Sequence, residues 1–349
     1  MIGRTGPRFL INRLSHIGDC LLTLPLAAEL RQQFPDCLIV WACEPASQSL
    51  LRLHSAIDEV VVVPPKWFKR WRDLRAIRRQ LREFKFDISI DPQGLFKSSL
   101  VGLLSGAPRR LGFRGEHGRE LSSWMNNRLV RPTTSHLVDR TLELLTLLPL
   151  PTRPGPANLN LPIAPAAAGE IAAFVSGLSL DYVVINPGAS WPSKQWDTAR
   201  FGELARQVRK HFGLIPVVSW GGAAESKMAD HVVAVSQGAA VKAPSTTLLT
   251  LAALLSRAKI FIGCDTGPLH LAVASGTRCI GLYGPTRPQD SGAYGAQHLA
   301  IQKTYQSGTR RERRFGTNWA MLEISIDDVL AAVETMLRDD SHLRHSGAA

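Results

Sequence analysis

The chain of 349 residues is longer than a single hydrophobic core usually serves, so two domains are expected. Its 45% hydrophobic and 20% charged residues are typical of a globular protein, and the lack of any run of roughly eighteen apolar residues argues against a membrane-spanning helix. The net charge of +12 favours phosphates, nucleic acid or an anionic membrane surface as partners.

The cysteine content argues against a disulfide framework and against a zinc site. Five cysteines are an odd number, and no two of them have C-x-x-C spacing. Charged residues interrupt the apolar ones near the N-terminus, so no secretory signal is expected. These features predict a protein of the reducing cytoplasm.

The first half of the chain alternates predicted strands with helices. Short apolar runs predict strands at Phe9–Leu14, Cys37–Ala42, Val60–Val63, Asp87–Asp91 and Arg110–Gly112. After the first strand a helix is expected to run through Phe34, and Pro25 should kink or delay it. This alternation predicts βαβ units and a mainly parallel sheet.

A proline-rich segment predicts an inter-domain linker, because six prolines fall between Pro149 and Pro165 with little periodicity. A second α/β set follows, with strands predicted at Tyr182–Asn186, Leu214–Ser219, Ala240–Ala243, Lys259–Cys264 and Arg278–Tyr283. A last helix is expected from Ser325 to about Leu337.

The predicted fold class is therefore α/β, with two Rossmann-like, doubly wound domains that face a central cleft. The domains are expected at residues 1–160 and 161–338, followed by a frayed tail at 339–349.

The turn DTGP, at residues 265–268, has the strongest ligand-binding character. It joins a buried strand to a helix, and the free amides of a helix N-terminus favour phosphate. Asp265, the first residue of this turn, and His270, two residues beyond it, would contact the polar part of a phosphorylated ligand. The alternative is that Asp265 and Thr266 cap the helix while His270 packs in the core.

The turn SHIGD, at residues 15–19, follows the first strand. Gly18 permits a tight turn or the close approach of a ligand, and Asp19 begins a helix. A carboxylate there would serve as a general base toward an acceptor hydroxyl. An ordinary helix-capping aspartate is the alternative.

The stretch NPGASWPSKQW, at residues 186–196, combines a turn ending in Ser190 with a lysine. The turn amides would face an anion, and Lys194 would neutralise charge on a departing phosphate. The alternative is a solvated loop lysine beside two packing residues, Trp191 and Trp196.

Two further turns end strands of the second half. In WGGAAE, Glu225 would accept hydrogen bonds from a ribose, or it is a first-turn residue favoured by the helix dipole. The turn GPT, at residues 284–286, is expected to line the same ligand-binding site at the carboxyl ends of these strands.

The stretch Lys66–Lys85 holds nine basic residues against two acidic ones and carries an apolar stripe, so an amphipathic helix is expected. Lys69 and Arg70 lie in it, beside the aromatic residues Trp67, Phe68 and Trp71. This combination suits an anionic membrane surface or a phosphorylated lipid. A second basic cluster lies at residues 310–314. Nucleic acid would also suit both clusters, although no nucleic-acid motif is present.

Together these stretches resemble the ADP-heptose:lipopolysaccharide heptosyltransferases, and most closely their type I members. The resemblance rests on seven motifs in order across both predicted domains: SHIGD, TLPLAAEL, DPQGLFKS, NPGASWPSKQW, WGGAAE, CDTGPLHLA and LYGPT. It covers most of the chain to about residue 295. The segment 304–320 has no counterpart in that pattern.

The resemblance implies the GT-B architecture and an inverting transfer without a covalent intermediate. No cofactor or metal is implied as a requirement, although a divalent ion is possible. The implied acceptor is Kdo-lipid A, with the acceptor in the first domain and the ADP-heptose in the second. This places the enzyme in the cytoplasm, peripheral to the cytoplasmic face of the inner membrane.

The resemblance also implies roles for individual residues. Asp19 would be the general base, and Lys194 would stabilise the leaving ADP. With the turns described above, the donor-binding set is Asp265, Thr266, Gly267, His270, Glu225 and Ser190. For the acceptor, the resemblance implies Lys97 and Arg119. The predicted acceptor-binding set adds Ser15 and Gly18 of the first turn and Lys69 and Arg70 of the basic stretch.

Three other functions compete with this interpretation. A related glycosyltransferase would use another nucleotide sugar or acceptor. A non-catalytic nucleotide- or nucleic-acid-binding protein would use the basic surface and would bind oligonucleotides in a strongly salt-dependent way. A dinucleotide-dependent dehydrogenase is disfavoured, because no G-x-G-x-x-G follows the first strand.

Overall fold

The computed structural model describes residues 5–119, 121–150 and 157–346, and the side chains of 339–346 lie outside that description. The chain divides into an N-terminal unit, Met1–Pro162, and a C-terminal unit, Ile163–Ala349. Part of the predicted linker, residues 151–156, lies outside the described residues, as do 347–349 of the predicted tail.

The N-terminal unit contains a six-stranded parallel sheet in the order β3-β2-β1-β4-β5-β6. Its strands are β1 (Arg8–Asn12), β2 (Leu38–Cys43), β3 (Glu59–Val62), β4 (Ile88–Ile90), β5 (Arg109–Phe113) and β6 (Arg128–Val130). Its helices are α1 (Ile17–Leu22), α2 (Leu24–Gln33), α3 (Gln48–Leu51), α4 (Trp71–Glu83), α5 (Phe96–Ser105), α6 (Ser122–Met125) and α7 (Leu137–Leu142).

The C-terminal unit repeats this architecture, with a parallel sheet in the order β12-β11-β10-β7-β8-β9. Its strands are β7 (Tyr182–Asn186), β8 (Ile215–Val218), β9 (Val241–Lys242), β10 (Ile260–Cys264), β11 (Arg278–Leu282) and β12 (Leu299–Ile301). Its helices are α8 (Pro165–Ser176), α9 (Thr198–Phe212), α10 (Gly222–Val235), α11 (Leu248–Leu255), α12 (Gly267–Ala274), α13 (Pro288–Ser291), α14 (Arg310–Phe315), α15 (Trp319–Leu322) and α16 (Ile326–Ser346).

The central strands are apolar because helices cover both faces of each sheet. All residues of β7 and β10 are buried, which is expected of strands in a doubly wound sheet. The helices of the C-terminal unit pack in two groups, α9 with α10 and α16, and α11 with α8 and α12. The predicted fold class, two Rossmann-like α/β sheets, is confirmed.

Most predicted elements are present, with differences at their ends and edges. The helix after the first strand breaks at Thr23 and restarts with Pro25 in its first turn, because proline is tolerated only there. The edge strands β6 and β12 were not predicted. Both have only three residues, and their exposed or partly buried side chains give no apolar run. The last helix continues to Ser346, since no glycine or proline interrupts it after Arg338.

The strand order fixes where each sheet can bind a ligand. When the strands are numbered within their own unit, each sheet has the order 3-2-1-4-5-6. The second and third strands therefore lie on one side of the first strand, and the fourth to sixth strands lie on its other side. Ligands of open α/β sheets bind beyond the carboxyl ends of the strands at such a switch point. The switch points here are β1/β4 and β7/β10.

Candidate functional site

In the C-terminal unit, the loops after β7 and β10 bring Lys194 to Asp265. The ammonium of Lys194 donates to the Asp265 carboxylate at 2.6 Å and to its backbone carbonyl at 3.2 Å. It also lies 4.7 Å from the ring centroid of Trp191. Lys194 is therefore held in one position, and the alternative of a solvated loop lysine is wrong because its side chain is only 12% exposed.

The charge on Asp265 is stabilised by its neighbours. Burial opposes ionisation, but the nearby Lys194 and His270 more than offset it, so the pKa of Asp265 lies well below its usual value. The His270 Nε2 atom is 3.5 Å from the carboxylate, and its Nδ1 has no hydrogen-bond partner among the described residues. An ammonium has three N–H donors, and two of those on Lys194 point to Asp265, so one remains for an anion.

The start of α12 lies directly after Asp265. Thr266 occupies the N-cap position, but its side chain makes no capping bond and instead donates to the Cys264 carbonyl at 3.3 Å. Pro268 is in the first turn, as the sequence predicted. The first amides of α12, including that of Gly267, are therefore not capped by the Thr266 side chain.

Glu225 lies between the turn after β7 and the turn after β8. Its carboxylate accepts a hydrogen bond from the Gly221 amide at 2.8 Å, and burial raises its pKa. A Cβ at Gly188 would be 2.4 Å from this carboxyl group, so only glycine permits this approach. Ser190, at the end of the same turn, is exposed.

In the N-terminal unit, Asp19 lies in the first turn of α1, at the carboxyl end of β1. The N-cap position is His16, so Asp19 is not the helix cap. Arg13 forms an ion pair with the Asp19 carboxylate at 2.8 Å and donates to the Pro92 carbonyl at 3.0 Å. Arg13 is 5% exposed and fixes the orientation of Asp19. The sequence reasoning missed Arg13, although a basic residue inside an apolar strand end is a signal for it.

Ser15 and Lys97 meet at the same edge of the sheet. The Lys97 ammonium donates to the Ser15 hydroxyl at 2.9 Å and to the Glu44 carboxylate at 2.6 Å. Glu44 follows β2, Lys97 lies in the first turn of α5, and Gly18 is buried in α1. Glu44 was not predicted, because nothing in its local sequence distinguishes it from an ordinary surface acid.

A buried carboxylate holds the loop after β4. Asp91 accepts hydrogen bonds from the amides of Gln93 at 3.1 Å and Gly94 at 3.0 Å, and from the Ser99 hydroxyl at 2.5 Å. Burial raises its pKa. Gly94 has φ +63°, and a Cβ there would be 2.0 Å from the His117 carbonyl oxygen. The aspartate and glycine of DPQGLFKS thus shape the loop that places Lys97.

The remaining predicted acceptor residues do not join the group formed by Ser15, Lys97 and Glu44. Arg119 has an exposed side chain, and its amide donates to the Gly94 carbonyl at 3.1 Å. Lys69 and Arg70 are exposed just before α4. Trp67, expected on a membrane-facing surface, is instead 1% exposed and packs in the core.

No group of three or more His, Cys, Asp or Glu side chains that could hold a metal ion is found in the part of the chain that the structure describes. All five cysteines are free and buried. No described helix is long and apolar enough to cross a membrane.

The sequence of residues 74–317 matches the profile of glycosyltransferase family 9 (heptosyltransferase). The chain belongs to this family and is a glycosyltransferase. Within the family it is similar to lipopolysaccharide heptosyltransferase 1 of Pseudomonas aeruginosa, with 30% identity over 84% of this chain and 83% of that protein. Lipopolysaccharide heptosyltransferase 1 of Escherichia coli K12 is 28% identical, over 84% of this chain and 93% of its own.

Solved structures share this fold. The E. coli heptosyltransferase WaaC with ADP-2-deoxy-2-fluoro heptose has a TM-score of 0.75 at 25% identity, covering 94% of this chain and 99% of that one. The family 9 glycosyltransferase of Veillonella parvula has a TM-score of 0.77 at 23% identity, covering 95% and 97%. The predicted resemblance to lipopolysaccharide heptosyltransferases is confirmed.

Proposed function

We propose that this protein transfers a heptose from ADP-heptose to the Kdo region of the lipopolysaccharide inner core, Kdo-lipid A, with inversion at the anomeric carbon. The observation that carries the proposal is the pairing of Lys194 with Asp265 at the β7/β10 switch point, beside the start of α12. The names of the family 9 relatives, and the ADP-heptose analogue in WaaC, support this donor.

In this mechanism the Asp19 carboxylate accepts the proton of the acceptor hydroxyl. The acceptor oxygen attacks the anomeric carbon of the heptose, and the bond from that carbon to the β-phosphate oxygen breaks. The electron pair leaves with ADP. The Lys194 ammonium and the amides at Thr266–Gly267 stabilise the developing negative charge.

The other candidate residues have supporting roles in this proposal. Asp265 holds Lys194 in place and, with His270, contacts the heptose and phosphate region. Glu225 accepts hydrogen bonds from the ribose hydroxyls, and Ser190, the last residue of the turn after β7, contacts the donor. Ser15, Gly18, Lys97 and Arg119 bind the anionic acceptor, while Lys69 and Arg70 attract it electrostatically.

A donor comparison tests the reaction. The purified protein is incubated with Kdo-lipid A and, separately, ADP-heptose, UDP-sugars and GDP-sugars, with a chelator added to half of the samples. We expect a mass increase of one heptose only with ADP-heptose, and no loss of product with chelator, because Lys194 and the start of α12 supply the positive charge. Product from another sugar nucleotide would support the related glycosyltransferase instead.

The same proposal places the enzyme in the cytoplasm, at the inner-membrane surface. Helix α4 supports this placement, since it exposes Trp71, at 68%, beside several arginines while Ile77 and Leu81 anchor it in the core. The cluster at 310–314 adds a second basic surface, next to Phe315, which is 69% exposed. Arginine with exposed aromatic residues suits anionic lipid headgroups.

Charge reversal in α4 tests this membrane contact. Each arginine near an anionic surface contributes about 1 kcal/mol, so the triple variant Arg75→Glu, Arg78→Glu, Arg79→Glu should bind phosphatidylglycerol vesicles at least roughly 100-fold more weakly. Co-sedimentation measures the binding. The matched control reverses the charge of three exposed residues of the C-terminal unit, Lys210, Lys227 and Arg257. This control variant should keep most of the vesicle binding. Equal losses in both variants would show that only net charge matters.

A further inference from the structure

The segment that follows β12, here called the bracing segment (residues 309–324), lies against the loop that carries Lys194. The Ser193 hydroxyl is buried and donates to the Arg313 carbonyl. The Asn318 side-chain amide donates to the Gln195 carbonyl at 2.8 Å. These two hydrogen bonds bracket Lys194, one residue before it and one residue after it.

The contact continues along the loop beyond Lys194. The Trp196 indole donates to the Ile324 carbonyl at 3.1 Å. The Arg200 guanidinium donates to the carbonyls of Leu322 at 2.6 Å and Ile324 at 2.8 Å. The whole stretch from Ser193 to Arg200 is therefore held by one later segment of the same unit.

Arg313 also ties the bracing segment to the GPT turn after β11. Its guanidinium donates to the Pro285 carbonyl at 2.9 Å and lies 5.9 Å from the ring centroid of Tyr305. Gln302 donates to the carbonyls of Gly284 at 3.2 Å and Thr286 at 2.7 Å. Arg313 thus joins two turns that the sequence assigned to the donor site.

The bracing segment is itself locally stable. Thr309 and Glu312 form a capping box at the start of α14, in which the Thr309 amide donates to the Glu312 carboxylate at 2.7 Å. The segment overlaps the stretch 304–320, which has no counterpart among the seven sequence motifs, although the family 9 profile extends through it to residue 317. Its basic character suggests a charged surface, but its backbone carbonyls and Asn318 face the Lys194 loop.

A flexible lysine contributes to catalysis only when its ammonium is held within a fraction of an ångström of the working position. Asp265 holds the end of the Lys194 side chain, but the backbone that carries Lys194 is a short 3-10 turn, Pro192–Lys194, outside the regular elements. That turn needs support from elsewhere, and the bracing segment supplies it.

We propose that Ser193, Arg313 and Asn318 are positioning residues that hold the Lys194 turn in place, so that the ammonium faces the diphosphate of the sugar nucleotide. This inference rests on the proposed donor role of Lys194. None of the three residues is assigned contact with the substrate. They act through Lys194, and this dependence can be measured.

The test is a double-mutant cycle with ADP as the probe and calorimetry as the readout. The combined variant Ser193→Ala, Asn318→Ala is made in the native protein and in a Lys194→Ala background. We expect roughly tenfold weaker ADP binding in the native background. In the Lys194→Ala background we expect less than a twofold change, because the turn then has no ammonium to place. Glu323→Ala, at an exposed position of the bracing segment, is the control and should bind ADP normally.

Each outcome separates the two proposals. If the combined variant weakens ADP binding equally in both backgrounds, its role is only structural and the inference is wrong. If Lys194→Ala binds ADP as tightly as the native protein, the donor role of Lys194 fails as well. If Lys194→Ala weakens binding while the combined variant does not, only the positioning role fails. Thermal unfolding checks folding, and Asn318→Ala alone replaces the combined variant if that one does not fold.

Discussion

Replacing Lys194 with alanine should lower kcat/KM for the sugar nucleotide by about 100- to 1,000-fold, and it should also weaken ADP binding. Removing one preorganised donor from a developing anion typically has an effect of this size in a partly buried site. Lys194 fits that role because its side chain is 12% exposed and its ammonium is fixed at 2.6 Å from Asp265. Steady-state kinetics with varied ADP-heptose and calorimetry with ADP measure the two effects.

The chain offers a matched control for this variant. Lys242 also lies over a tryptophan, with its ammonium 5.0 Å from the Trp220 ring centroid, and it pairs with Asp230 at 2.6 Å. It lies on the edge strand β9, away from the β7/β10 switch point. Lys242→Ala should therefore keep both kcat/KM and ADP affinity within about twofold. Similar losses of kcat/KM and ADP affinity in the two lysine variants would contradict the proposed role of Lys194.

Replacing Asp19 with asparagine should reduce kcat by about 100- to 10,000-fold while ADP-heptose binding remains unchanged. Asparagine keeps the shape of the side chain but cannot accept the proton of the acceptor hydroxyl, and general-base catalysis contributes an effect of this size. Arg13 still provides hydrogen-bond donors to the amide oxygen, so the local structure should persist. Product formation under saturating substrates measures kcat.

Asp73→Asn is the control for the Asp19 variant. Asp73 also lies in the first turn of a helix of the N-terminal unit, α4, but not at the end of β1. It should leave turnover unchanged, and calorimetry with ADP-heptose on both variants should give the native affinity. Unimpaired turnover in Asp19→Asn would remove Asp19 from the role of base.

The strand–turn–helix units could be predicted because their signals are local. An apolar run, a polar turn with glycine and a proline in the first helical turn identify β10 and α12 without any knowledge of distant contacts. The short edge strands β6 and β12 could not be predicted this way. Their three residues pair on one side only, and their side chains are not fully buried.

The same distinction explains which site residues were found. Lys194 and Asp19 were identified because each follows a recognisable strand in a motif. Arg13 was missed because its role depends on contacts with Asp19 and Pro92, of which Pro92 is far away in the sequence. Glu44 was missed for the same reason.

Hydrogen bonds to the backbone are the hardest part to predict. The bracing segment holds the Lys194 loop partly through the carbonyls of Arg313 and Ile324, and any residue type carries a carbonyl. Its arginines suggest only a charged surface. The burial of Trp67 likewise depends on tertiary packing, because its sequence context is that of an exposed basic stretch.

The central claim is that the leaving group binds at the carboxyl ends of β7 and β10, next to the loops that follow them. A crystal structure of this protein with ADP tests this claim most directly. The predicted result places the diphosphate within hydrogen-bonding distance of the Lys194 ammonium and the Gly267 amide. Nucleotide bound with its phosphates away from both loops would contradict the proposed mechanism.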